Sequence, residues 1–191
     1  MKTLLHICCA PCSITCIDTL RREGIEPVGF WYNPNIHPMK EYKTRKNTLV
    51  DYAKSIGLQL EIQNEYGLRK FIEGVYPDFD RRCGFCYRIR FEETAKFAAE
   101  HGYDQFTSTL FVSPYQNHTL MKEVAEQAAE KYEVTYLHRD FSPRFREGQE
   151  KARELGLYIQ KYCGCIFSEE DRYQKKKKKP STVKPDSVET P

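Results

Sequence analysis

Short apolar runs alternate with amphipathic stretches along most of the chain. Lys2–Ile7 is a compact apolar run and reads as a strand. Ser13–Arg22 has helical spacing and is closed by Gly24. Glu26–Tyr32 reads as a second strand, stopped by Asn33-Pro34-Asn35. Glu41–Ile56 puts Leu49, Tyr52, Ala53 and Ile56 on one helix face and ends at Gly57. Leu58–Ile62 alternates as a strand, and a short helix over Leu68–Gly74 leads into Tyr76-Pro77-Asp78. Beyond it the pattern predicts helix over Arg82–Glu100, strand over Gln105–Leu110 and helix over Thr119–Lys131. A strand over Glu133–His138 and a helix over Arg146–Leu155, closed by Gly156, complete the series.

Alternation of this kind predicts the α/β class, here a single Rossmann-like domain with a mostly parallel sheet over residues 1–173. No internal repeat or second domain is visible. In such sheets ligands collect beyond the carboxyl ends of the strands.

Composition adds limits. The chain has 191 residues, of which 40% are apolar, enough for one core. No apolar run is long enough to cross a membrane. The N-terminal apolar run is too short for an export signal and is broken by His6. A cytoplasmic location is therefore expected, where thiols stay reduced. The net charge of +3 is uneven. Residues 174–191 hold Lys175 to Lys179 and Lys184 against Asp186 and Glu189, so this segment is +4 and the body −1. The segment is expected to be a disordered tail that aids solubility or weakly attracts RNA. Nucleic-acid binding by the body would need local patches.

Eight cysteines change the picture most. Seven fall into three tight groups: Cys8-Cys9-Ala10-Pro11-Cys12, Cys83-Gly84-Phe85-Cys86 and Cys163-Gly164-Cys165. Short groups far apart in sequence point to one convergent metal or redox centre. The first group lies in the first strand-to-helix turn, where backbone N–H groups and the helix dipole favour thiolate. The second opens a helix and reads as a two-point metal clamp or a dithiol pair. Adjacent cysteines reach two corners of a cuboidal cluster more easily than one tetrahedral ion, which favours four irons over zinc. Cys163 and Cys165 can close a small, strained and reducible disulfide ring, or both can bind metal. Cys16 reads as a small core residue.

Other polar positions carry weaker signals. His6 reads equally as a core or a site residue, and His37, in a loop near the sheet edge, as a substrate contact. Trp31 and Tyr32 read as core. Arg81, Arg82, Tyr87, Arg88 and Arg90, then Arg139, Phe141, Arg144, Phe145 and Arg146, interleave charge with aromatics. That suits RNA contact or an ordinary solvated face equally.

The motifs together resemble the cobalamin-independent epoxyqueuosine reductase family, the QueH type. The resemblance runs through Leu5-His6-Ile7-Cys8-Cys9-Ala10-Pro11-Cys12, Tyr32-Asn33-Pro34-Asn35-Ile36-His37-Pro38 and Arg82-Cys83-Gly84-Phe85-Cys86-Tyr87-Arg88-Ile89-Arg90. It continues through Thr107-Ser108-Thr109-Leu110-Phe111-Val112-Ser113-Pro114-Tyr115-Gln116, Asp140-Phe141 and Leu155 to Ser168, up to about Asp171. It implies a fold similar to the adenine-nucleotide α-hydrolase (HUP) group. It also implies reduction of the epoxide of epoxyqueuosine to an alkene at the wobble position of tRNA, the last step of queuosine synthesis. A [4Fe–4S] cluster held by Cys8, Cys9, Cys83 and Cys86 is implied, with Cys163 and Cys165 as a redox-active pair. The expected partners are a tRNA anticodon stem-loop and an unidentified electron donor. Cys12 and Asp140 are candidates for an additional mononuclear iron or for proton delivery. Two other readings remain: a zinc-stabilised RNA-binding module without turnover, and a HUP-type tRNA-modifying enzyme such as a thiolase. The second wants a glycine-rich phosphate loop where this chain has Cys8 to Cys12.

Overall fold

The computed structural model describes residues 1–174. The lysine-rich segment from Lys175 onward lies outside the described residues. Five strands form one sheet: β1 (Thr3–His6), β2 (Pro27–Trp31), β3 (Leu60–Ile62), β4 (Gln105–Ser108) and β5 (Thr135–Tyr136). All pairings are parallel, in the order β3-β2-β1-β4-β5. This is the expected Rossmann-like α/β arrangement.

Parallel neighbours need crossovers, and the helices supply them. α1 (Ala10–Arg22) links β1 to β2, and α2 (Met39–Ser55) links β2 to β3. α3 (Leu68–Val75) and α4 (Arg82–Glu100) return the chain to β4, and α5 (His118–Tyr132) leads to β5. α6 (Phe145–Glu154) follows and packs on α1, while α4 packs on α5. The chain winds away from β1 in both directions. Right-handed crossovers then place helices on both faces and leave a crevice where β1 and β4 diverge.

β1 is the central strand, and all four of its residues are buried. Leu4, Leu5 and Ile7 are fully buried against Phe30, Trp31 and Phe106 from the flanking strands. Trp31 and Tyr32 belong to the core, as expected. His6 pairs in register with Phe30 and Ser108. Its Nε2 donates to the Tyr32 carbonyl (3.1 Å), and its Nδ1 accepts from the Ser108 hydroxyl (2.9 Å). It is a satisfied core histidine.

Two boundaries move for clear physical reasons, and one helix was not expected. α1 starts at Ala10 because Pro11 fits the first turn of a helix, so Cys12 lies inside it. β4 stops at Ser108, whose hydroxyl accepts the Leu110 N–H and turns Thr109–Val112 into a 3₁₀ segment. The missed helix is α7 (Ile166–Tyr173), which is short and mostly polar and is held by Phe167 against Phe71 and Phe79.

His37 corrects an expectation. It is fully buried and does not face substrate space. Its Nε2 donates to the Pro34 carbonyl (3.1 Å), and its Nδ1 accepts the Ile166 N–H (3.3 Å). The His37 N–H donates to the Gly164 carbonyl (2.8 Å), and its own carbonyl accepts the Tyr162 hydroxyl (2.6 Å). His37 therefore anchors the C-terminal segment to the loop after β2. Burial pushes its pKa down to about 4. Protonating Nδ1 would turn the acceptor of the Ile166 N–H into a donor. The fold stabilises the neutral ring, so this contribution is complete above the ordinary histidine pKa of 6.5 and is lost as pH falls from there toward 4. The urea midpoint should therefore drop between about pH 7 and pH 4.5. His37→Gln should start lower at neutral pH and drop less over that interval. Parallel slopes for the two proteins would contradict this role.

Candidate active site

All three cysteine groups meet at the crevice. A cavity of about 570 Å³ is lined by Cys8 and Cys12, Cys83 and Cys86, and Cys163 and Cys165. β1 ends at His6 and delivers Cys8 to the crevice. The first turns of α4 deliver Cys83 and Cys86, and the loop between α6 and α7 delivers Cys163 and Cys165. The Sγ atoms of Cys8, Cys9 and Cys12 lie within 4.8 Å of one another, all buried. Cys9 is nearly inaccessible and is not on the cavity wall. Cys16 is fully buried and donates to the Cys12 carbonyl (3.2 Å), a core role as expected.

Hydrogen bonding explains the charge state of the first group. Cys8 is held well below the usual thiol pKa, chiefly because Cys12 and Cys9 donate S–H bonds to it. Cys12 is pushed up by the same bond, and Cys9 is pushed up mainly by burial. Within the trio, Cys8 is therefore the thiol that its neighbours favour as thiolate. Cys8 and Cys9 approach at 3.9 Å, close to the roughly 3.8 Å edge of a tetrahedral zinc–thiolate site. That approach is a hydrogen-bond distance, so it does not discriminate between one ion and a cluster. The adjacency argument for four irons consequently loses its force. What the donor set does establish is chemical type: buried, all-sulfur and soft, which fits iron–sulfur or zinc binding.

The second pair differs. Cys86 is pushed up to about 11 by burial, and Cys83 is also raised by burial. In the third pair, Cys163 is drawn down to about 5, first by the S–H bond from Cys165. Cys165 is raised by giving that bond. All eight cysteines are free thiols, so the anticipated disulfide is not formed in this state.

Several residues that support the thiols were not singled out by the sequence. Cys8 N–H donates to Thr109 Oγ1 (3.2 Å), joining the strand ends across the crevice. Gln160 Nε2 donates to Cys12 Sγ (3.5 Å), and the Ser168 N–H to Cys165 Sγ (3.4 Å). All three sit inside recognisable motifs, which was their only signal. Arg90, which suited RNA contact or a solvated face equally, is neither: it is buried and donates to Cys86 Sγ (3.1 Å). Tyr87 is likewise buried, with its hydroxyl on Gln116 (2.6 Å). Arg82 is paired with Asp171 (2.6 Å), Arg139 with Glu23 (2.9 Å), and Arg144 with Asp18 and Glu147 (both 2.6 Å). Asp140 stands apart from the thiols. It is exposed, is absent from the cavity wall and accepts the Ser142 N–H (2.9 Å).

Arg45 locks the third cysteine loop. It is 2% exposed and pairs through Nε with Glu41 (2.7 Å). Its two terminal nitrogens donate to the carbonyls of Cys163 (3.0 Å) and Tyr162 (2.9 Å). Tyr158 donates its hydroxyl to the other Glu41 oxygen. Gly164 has φ +139°, and a Cβ there would lie 3.1 Å from Ile36 and 3.4 Å from the guanidinium. Only glycine gives both that backbone and that clearance. Arg45→Met should cost about 3–5 kcal/mol in urea unfolding, because it strands a buried carboxylate. Adding Glu41→Met should recover part of that loss. A cost below about 1 kcal/mol would show that the pair is not structurally required.

Comparison with known proteins agrees with the geometry. A family model described as "Epoxyqueuosine reductase QueH" matches residues 3–171. The epoxyqueuosine reductase QueH of Dehalococcoides mccartyi is 35% identical over 174 residues, covering 91% of this chain and 96% of that protein. Those of Haemophilus influenzae and Thermotoga maritima are 36% and 34% identical, covering 89% and 90% of this chain and 72% and 92% of theirs. Among solved structures, a predicted subunit of tRNA methyltransferase from Methanocaldococcus jannaschii aligns with a TM-score of 0.52 at 12% identity. The alignment covers 81% of this chain and 75% of that one, and the likeness concerns the fold alone. With three thiol-bearing segments meeting at one crevice and the match spanning nearly every described residue, the chain belongs to the epoxyqueuosine reductase QueH family.

Proposed function

We propose that this protein reduces the epoxide of epoxyqueuosine to the alkene of queuosine at the wobble position of tRNA. The observation that carries the reading is the convergence of Cys8, Cys12, Cys83, Cys86, Cys163 and Cys165 on one cavity. A phosphate-binding enzyme would want backbone N–H groups of a glycine-rich turn after β1. That turn here presents sulfur, which argues against the thiolase reading. Free thiols in this number suit the cytoplasm.

Removing the epoxide oxygen as water takes two electrons and two protons. Oxidising the Cys163 thiolate and the Cys165 thiol to a disulfide releases two electrons and one proton, and solvent supplies the second proton, so one turnover balances. An external donor must then re-reduce the pair. Cys163 is the more acidic thiol and is open to the cavity, so it is the member that reacts first. Cys165 retains its proton beside it. Arg45 fixes the backbone of the pair, and Ser168 holds Cys165.

Cys8, Cys9, Cys83 and Cys86 are the proposed ligands of a [4Fe–4S] cluster. When bound, such a centre supplies one-electron transfer and a Lewis-acidic iron for the epoxide oxygen. Cys12 competes with Cys9 for one ligand position, because Cys12 lines the cavity and Cys9 does not. Cys12 is alternatively available to a second iron. The proposed chemistry makes no use of Asp140.

An anticodon stem-loop bearing epoxyqueuosine, incubated anaerobically with protein and dithionite, should lose one oxygen by mass spectrometry. Iron per protein should collapse in Cys83→Ala and Cys86→Ala. Whichever of Cys9→Ala and Cys12→Ala loses iron identifies the remaining ligand. Cys163→Ser and Cys165→Ser should keep iron but lose multiple turnover. Zinc in place of iron, with no conversion, would return the zinc-stabilised binding module.

A further inference from the structure

One aromatic ring at the cavity mouth has no work to do in the fold. Tyr115 is 84% exposed, yet it forms part of the cavity wall. The loop that carries it is fixed. Its own N–H donates to Ser113 Oγ (3.4 Å), and His118 Nε2 donates to the Ser113 carbonyl (2.9 Å). Tyr87, beside Cys86, holds Gln116 (2.6 Å) and accepts the Asn117 N–H (3.4 Å). Phe145 meets the Tyr115 ring at 86° with centroids 5.9 Å apart, and Phe145 also lines the cavity. A ring held on a rigid loop, braced on one side and open on the other, is a stacking surface.

The nearby cations identify what stacks. Lys161 and Arg172 line the same cavity, are exposed, and make no ion pair among the described residues. Arg82, Arg139 and Arg144 all have carboxylate partners. Unspent positive charge on the wall of a cavity that also presents an open aromatic ring fits a single-stranded nucleic acid, with phosphates on the cations and a base on the ring. The modified base itself must pass inward to the thiols, whereas Tyr115 stands at the mouth.

We propose that Tyr115, braced by Phe145, stacks on the unpaired base next to the modified nucleotide, while Lys161 and Arg172 hold phosphates of the same strand. This rests on the tRNA reading above and assigns its contact surface. Neither Lys161 nor Arg172 was among the basic positions that the sequence suggested.

The test uses anticodon stem-loop RNA with 2-aminopurine replacing, in turn, each neighbour of the wobble nucleotide. Wild-type protein should quench the fluorescence at one of the two positions, and Tyr115→Phe should quench it as well. Tyr115→Leu should lose the quench and bind about tenfold more weakly, as expected for one base–aromatic stack. Its ratio of kcat/KM on the epoxyqueuosine stem-loop to that on the free nucleoside should fall by a similar factor. The Lys161→Gln/Arg172→Gln protein should keep the quench and lower the salt slope of binding by roughly 1.4 for two single-strand phosphates. Quenching at neither position, or undiminished quenching by Tyr115→Leu, overturns the stacking assignment. A wild-type protein that shows Tyr115-dependent quenching but leaves the epoxide intact overturns the reductase reading and leaves the stacking surface standing.

Discussion

Arg45 sits in helix α2 with its charge almost wholly out of water. It can stay there because Glu41 neutralises it and two carbonyls of the cysteine loop accept from its terminal nitrogens. A buried guanidinium left without these partners would be strongly destabilising. The tie runs both ways, because the same two bonds fix the loop that carries Cys163 and Cys165. His37 adds a second tie through the Gly164 carbonyl and the Ile166 N–H. The far end of the chain is thereby brought over the first strand-to-helix turn, and the cavity gains its third wall of sulfur.

The sheet supplies the other half of the constraint. Winding in both directions from β1 opens the crevice at the ends of β1 and β4, and the Cys8–Thr109 hydrogen bond spans it. Cys8, Cys9 and Cys12 fall there because Pro11 starts α1 directly after the strand. Cys83 and Cys86 fall there because α4 begins at Arg82. Inside this setting, proximity makes one thiol of a group acidic at the expense of its neighbours. Cys8 gains from Cys12 and Cys9, and Cys163 gains from Cys165. Each group thus sets an acidified thiol beside a protonated neighbour, and the proposed chemistry rests on that pairing.

Much of this was legible in the sequence. The alternation of strands and helices, the parallel sheet and the convergence of the cysteines followed from apolar spacing and from cysteine grouping. What was not legible depended on tertiary partners. The Glu41–Arg45 pair, four residues apart, looks like any solvated helix pair, and nothing local shows that both are buried. Arg90 and Arg144 suited RNA contact or a solvated face equally, and only the fold brings Cys86 and Asp18 beside them. His37 looked like a loop histidine facing substrate, because the Gly164 carbonyl and the Ile166 N–H that hold it lie far along the chain. α7 has too few apolar positions to announce itself. Tyr115 was inside a recognised motif, but its exposure could be seen only once the core was built.

The central claim is that thiols from three separate segments act as one iron-dependent centre that meets the epoxide. Mössbauer spectroscopy of ⁵⁷Fe-labelled protein, isolated anaerobically, tests it most directly, with spectra taken before and after adding an epoxyqueuosine-bearing stem-loop. The account predicts sulfur-ligated cluster iron whose signals change when the substrate enters the shared cavity. Protein without iron, or iron signals that stay unmoved with substrate bound, would contradict it.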